Sequence, residues 1–167
     1  MDKEYEIRLA NQEDIHQIAK LYVDSWKRTY QGLIPESYLN GLTVESLCKR
    51  WGDYIKEPKQ GIFVAVDHKK VLGFGAFKPY HRIDDCIYVD SLHVEPSFQG
   101  KGIGSALIKR IYAVGEEESY SKMAICIVKG NDRARELYVK LGAKHFRDKV
   151  DDFTGEITYS EILIWDL

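Results

Sequence analysis

Three glycines at alternate positions, Gly100, Gly102 and Gly104, mark where this chain could do chemistry. They sit in Gln99-Gly100-Lys101-Gly102-Ile103-Gly104-Ser105, between a hydrophobic run and an amphipathic one. Glycine has no Cβ, so successive backbone N–H groups can converge on one anion. Beyond the loop, Ile103, Ala106, Leu107, Ile111 and Val114 share one helical face. A loop that becomes a helix offers unpaired N–H groups and the positive end of the helix dipole at one point. We read it as a phosphate site, and as one for a diphosphate. Two familiar nucleotide loops do not fit. A dinucleotide fingerprint needs glycine at 105 or 107, which hold Ser105 and Leu107. A P-loop needs Gly-Lys-Ser/Thr after four spacers, and no Ser or Thr follows Lys101.

Holding that loop takes a strand before it and a helix after it. Cys86–Val94 is β-branched, aromatic and apolar on both parities, as in a strand covered on two faces. Glu95-Pro96 ends it, because proline cannot donate to a ladder. A second apolar strand is expected over residues 123–128. Asn131 then caps a helix with Ala134, Leu137, Tyr138 and Leu141 on one face, and Gly142 stops it. Upstream, residues 5–9 alternate as a short strand. Asn11 and Asp14 form a variant capping box for a helix that buries Ile15, Ile18, Ala19, Tyr22 and Trp26 and ends near Tyr30-Gln31-Gly32. A short helix is expected over 43–54, strands over 61–66 and 71–77, and a closing antiparallel pair over 143–149 and 157–165. Residues 67–70 and 151–155 supply turns. The order β-α-α-β-β-β-α-β-α-β-β predicts an α/β domain: a mixed sheet with helices on both faces.

Gln99, Gly102 and Gly104 resemble the Gln/Arg-x-x-Gly-x-Gly/Ala signature of the GNAT N-acetyltransferases. The strand ending Leu92-His93-Val94-Glu95-Pro96 is similar to the one that family pairs with a pantetheine arm. So is the later order of strand, Asn131, helix with Tyr138 seven residues on, and Leu141-Gly142. The resemblance implies an acyl-coenzyme A N-acyltransferase fold, a mostly antiparallel sheet whose two parallel central strands splay apart. It implies acetyl-coenzyme A as donor and direct attack by a primary amine in a ternary complex. It places the backbone of Leu92, His93 and Val94 on pantetheine, and Gln99, Gly100, Lys101, Gly102, Ile103, Gly104 and Ser105 on the diphosphate. Asn131 then contacts the arm near the sulfur, and Tyr138 protonates the departing thiolate, its phenol being protonated at neutral pH. Some relatives carry glutamate where this chain has Cys126, which leaves the base open between Asp90 and His93. The stretch from Trp26 to Pro35 resembles a segment that one subgroup folds beside the acetyl end. Trp26 and Tyr30 are thereby candidate walls for a cationic or aliphatic amine. Tyr138 also shares an apolar stripe with Leu137 and Leu141, and Asn131 serves equally as a cap.

At 167 residues the chain is expected to form a single domain over 1–167. A net charge of −2 gives no overall basicity to argue for nucleic acid or an anionic membrane. Cys48, Cys86 and Cys126 have no metal-pair spacing and read as reduced. Met1-Asp2-Lys3-Glu4 carries no apolar leader, and no run reaches membrane-spanning length, so a cytoplasmic monomer or homodimer is expected. The expected partner is a small-molecule or peptide amine, with no metal. The alternative is a non-catalytic acyl-coenzyme A-binding regulatory module.

Overall fold

The computed structural model describes residues 4–153 and 155–167. Thr154, in the last expected turn, lies outside the described residues. Strand β1 (Glu6–Leu9) leads through a 3₁₀ turn at Gln12–Asp14 into α1 (Ile15–Thr29). The capping box forms: Asn11 Oδ1 accepts the Glu13 N–H at 2.9 Å, and the Asp14 carboxylate accepts the Asn11 N–H at 2.9 Å. Next comes α2 (Glu36–Asn40), a helix too short to show a repeat in the sequence. It is followed by α3 (Val44–Tyr54), capped by the Thr43 hydroxyl at 3.2 Å from the Ser46 nitrogen.

The rest runs β2 (Gly61–Asp67), β3 (Lys70–Pro79), β4 (Cys86–Val94), α4 (Ile103–Glu117), β5 (Lys122–Val128), α5 (Asp132–Lys140), β6 (Lys144–Phe153) and β7 (Glu156–Asp166). The last two strands outrun their expected bounds. Their tips pair through polar residues such as Asp151 with Thr158, which a hydrophobic alternation does not report. Gly142, at φ +102°, ends α5 in a Schellman motif. Ala143 N–H reaches the Tyr138 carbonyl at 2.9 Å and Gly142 N–H reaches that of Val139 at 3.0 Å.

The sheet has the order β1-β2-β3-β4-β5-β7-β6, and β4–β5 is its parallel pair. On one face α1 and α3 bury Ile18, Tyr22 and Trp51 against Val64 and Phe74. On the other, α4 buries Leu107 and Ile111 against Ile87, Val89 and Ile125. A third cluster joins Ile83, Cys86, Ala124, Ile162 and Ile164, with Tyr80, Tyr88 and Cys126 at its margin. Among the described residues no helix is long and apolar enough to cross a membrane.

One irregularity in β4 sets up the site. Ala76 faces Ser91 while Phe77 faces Val89, so Asp90 is an extra residue, a β-bulge. It shifts the side-chain parity. Ile87 and Val89 before it, and Leu92 and Val94 after it, all pack toward α4. The apolar residues on both parities of this strand thus reflect the bulge as well as coverage on two faces.

Candidate active site

The parallel ladder runs from Cys86↔Lys122 to Val89↔Ile125 and stops at the bulge, while β5 continues against β7 to Val128. The two central strands therefore part from Asp90 onward. On the other edge, β4 stays paired with β3 as far as Val94↔Gly73, and Glu95 N–H donates to the Leu72 carbonyl at 2.8 Å. Antiparallel alternation then turns the N–H groups of Leu92 and Val94 away from β3, into the gap. Main-chain donors in such a gap call for a partner. An extended chain bearing amides supplies one, as an added strand would.

The glycine loop stands at the end of that gap. Gly100 and Gly102 take φ +78° and +85°, and a Cβ on either would meet nothing within 4 Å. Gly102 is the N-cap of α4, with no side chain occupying the orphan N–H groups. The open cradle and unpaired donors fit a diphosphate and its amide-bearing arm. Gln99 itself turns back: its Nε2 donates to the Val94 carbonyl at 3.1 Å and ties loop to strand. Lys101 lies over the Phe98 ring, 5.1 Å from its centroid. The Ile103 side chain belongs to the core, and Gly104 packs beside Leu137.

On the β5 side, the expected pocket residues come together. Asn131 occupies the N-cap position of α5 but makes no side-chain capping bond. Its amide lies close enough to the Tyr30 phenol to oppose the rise in its pKa, and Tyr30 in turn acts on the buried phenol of Tyr138. Burial pushes Tyr30 up to about 12, with Cys126 adding to the shift and Asn131 opposing it. Burial, and then Tyr30, raise Tyr138 well above the ordinary phenol range. Tyr138 also meets Trp165 edge-on at 6.1 Å. Trp26 packs on Tyr30 at 4.6 Å and on Tyr22 at 5.4 Å, and its buried indole N–H has no partner among the described residues.

The sequence model of the acetyltransferase (GNAT) family matches residues 11–143, spanning the loop, the parted strands and Tyr138. The chain belongs to the GNAT acetyltransferase family. It is an acetyl-coenzyme A-dependent acetyltransferase by that membership. It is 32% identical to the uncharacterised N-acetyltransferase YuaI of Bacillus subtilis over 130 residues, 75% of this chain and 72% of that protein. A bovine (Bos taurus) thialysine N-epsilon-acetyltransferase is 36% identical over 58 residues, 35% of this chain and 34% of that one. In fold, it is similar to the Thermoplasma acidophilum PaiA N-acetyltransferase, solved with coenzyme A. The TM-score is 0.76 at 22% identity, over 96% of this chain and 98% of that one.

Within this GNAT protein the two base candidates diverge. His93 is buried, hydrogen-bonded through Nδ1 to the Ser25 hydroxyl at 2.7 Å, and wedged between Tyr22 and Phe74. Burial, then Arg28, hold it down to about 3. That is a core histidine and a poor proton acceptor. Asp90 is half-buried and paired with Lys78 at 3.4 Å. It also acts on the phenols of Tyr54 and Tyr22. Sequence reading missed Tyr54 and Lys78, because neither lies near a motif and only the folding of α3 and β3 brings them to Asp90.

The burial of His93 has a measurable consequence. Free histidine takes a proton near pH 6.5, whereas folded His93 does so only near pH 3. Between those values the unfolded chain binds the extra proton. Stability should therefore fall as pH drops below about 6.5, by up to about 1.4 kcal/mol per pH unit. Denaturant melts from pH 7 to pH 5 should show that slope, and His93→Gln should flatten it. Parallel curves for the two proteins would rule it out.

Proposed function

We propose that this GNAT protein moves an acetyl group from acetyl-coenzyme A to a primary amine of a small molecule or peptide, by direct attack in a ternary complex. One observation carries the reading: β4 and β5 part at Asp90 and leave the Leu92 and Val94 N–H groups facing the gap. The bound donor supplies its acetyl group as an activated thioester. The Leu92 and Val94 N–H groups hold the pantetheine arm, and one of them polarises the carbonyl. The amides from Gly100 to Ser105 hold the diphosphate at the mouth of α4. Tyr138 keeps its proton at neutral pH, because burial raises its phenol, and it donates to the leaving sulfur. Asn131 acts on Tyr30 beside it. Asp90, rather than His93, accepts the proton that the amine must lose. Trp26 and Tyr30 wall the acceptor. The free thiols of Cys48, Cys86 and Cys126 support a cytoplasmic setting. The name of the thialysine acetyltransferase relative supports an amine acceptor.

Thiol release from acetyl-coenzyme A, followed across a panel of amines, tests this reading. Turnover on at least one amine is expected. Stabilisation by acetyl-coenzyme A without turnover on any amine would instead favour the non-catalytic module.

A further inference from the structure

On the sheet face away from α4, beside the parting of β4 and β5, Tyr80 and Tyr88 stack with centroids 4.3 Å apart and planes 10° from parallel. The charged side chains acting on the pair are three cations, which face Tyr80, and two carboxylates, Asp90 and Asp151, which act on Tyr88. Arg82 and Lys149 act on the half-buried Cys126 thiol, and Arg82, Arg147 and Lys149 all act on the Tyr80 phenol. Arg82 also acts on Lys149, like charge on like. Arg147 stands opposite Ile162 in the β6–β7 ladder, which places it on this same face. Of the three, Lys149 is answered by a carboxylate: Asp151 takes it at 2.8 Å and accepts the Ser160 hydroxyl at 2.9 Å. Neither Arg82 nor Arg147 pairs with a carboxylate among the described residues. Arg147 Nη2 is steered by the Arg82 carbonyl at 3.2 Å instead. Cations gathered in this way repel one another, and a bound anion relieves that repulsion through charge-assisted hydrogen bonds.

We propose that Arg82, Arg147 and Lys149 form a recognition site for an anionic group on the acceptor, so that the amine substrate also carries a carboxylate or a phosphate. The inference rests on the acetyltransferase reading above and narrows its acceptor class. Planar guanidinium groups match either oxyanion in a two-pronged contact. The Tyr80–Tyr88 stack gives the linking carbons an apolar surface, with the amine directed toward Asp90.

The test compares kcat/KM for β-alanine and phosphoethanolamine with that for propylamine and diaminopropane, in the native protein and in Arg82→Gln and Arg82→Glu. At least one anionic acceptor should exceed propylamine by about tenfold. Which anion leads separates carboxylate from phosphate recognition. That ratio should fall toward one in Arg82→Gln, and Arg82→Glu should turn the preference toward diaminopropane. Unchanged melting temperature and acetyl-coenzyme A affinity establish that these surface variants fold. The proposal is overturned if propylamine or diaminopropane matches both anions in the native protein, or if the ratios survive in the variants. If no amine at all is acetylated, the acetyltransferase reading falls, and this one falls with it.

Discussion

Replacing Tyr138 with phenylalanine should lower kcat by about a hundredfold while leaving KM for acetyl-coenzyme A within about twofold, the usual scale of a lost general acid. The ring is buried against Trp165, and phenylalanine keeps that packing. The phenol lies in the field of Tyr30, so only an oxygen and its proton are lost. The melting temperature should move by only a few degrees. Because burial holds the phenol protonated well above neutral pH, the native protein should show no alkaline loss of kcat assignable to Tyr138 in an ordinary assay range. A variant with native kcat would leave Tyr138 as a packing residue, as its place beside Leu137 and Leu141 also allows.

The second large effect is expected at Gly102, where stability and affinity should separate. Aspartate is a favoured N-cap, and among side-chain residues it tolerates the left-handed backbone comparatively well. Gly102 is the N-cap of α4 at φ +85°, with open space where a Cβ would stand. Gly102→Asp should therefore melt a few degrees below the native protein, the cost of a side chain at positive φ. Its carboxylate, however, would take up the amides meant for a diphosphate and repel it. Acetyl-coenzyme A affinity should drop about a hundredfold, the scale of two lost charge-assisted contacts. Gly102→Ala carries a comparable backbone strain without the charge and should lose far less. Equal affinities for aspartate, alanine and glycine at 102, read by titration calorimetry, would dismiss the loop as a phosphate site.

Much of this was legible from residues alone. The glycine loop and the bounds of β4 are local facts of composition. The capping box at Asn11 and the Schellman stop at Gly142 follow from side-chain hydrogen bonding and from glycine's freedom at positive φ. What stayed hidden depends on distant partners. Asn131 reads as a cap, yet it makes no capping bond and acts instead on the Tyr30 phenol, about a hundred residues away in sequence. His93 alternates like any strand residue, and only the packing of α1 shows that Ser25 and Tyr22 enclose it. The bulge at Asp90 leaves no compositional trace, because its effect on parity imitates a strand buried on both sides.

That extra residue in β4 also keeps time for everything after it. Excise Asp90, and each later side chain in the strand rolls over by half a pleat. Leu92 and Val94 would then swing toward the Tyr22 side, His93 would be thrust against Leu107, and the slot would be free to zip shut as an unbroken parallel pair. A single inserted residue thus separates a sheet that merely folds from one with an entrance cut into its middle.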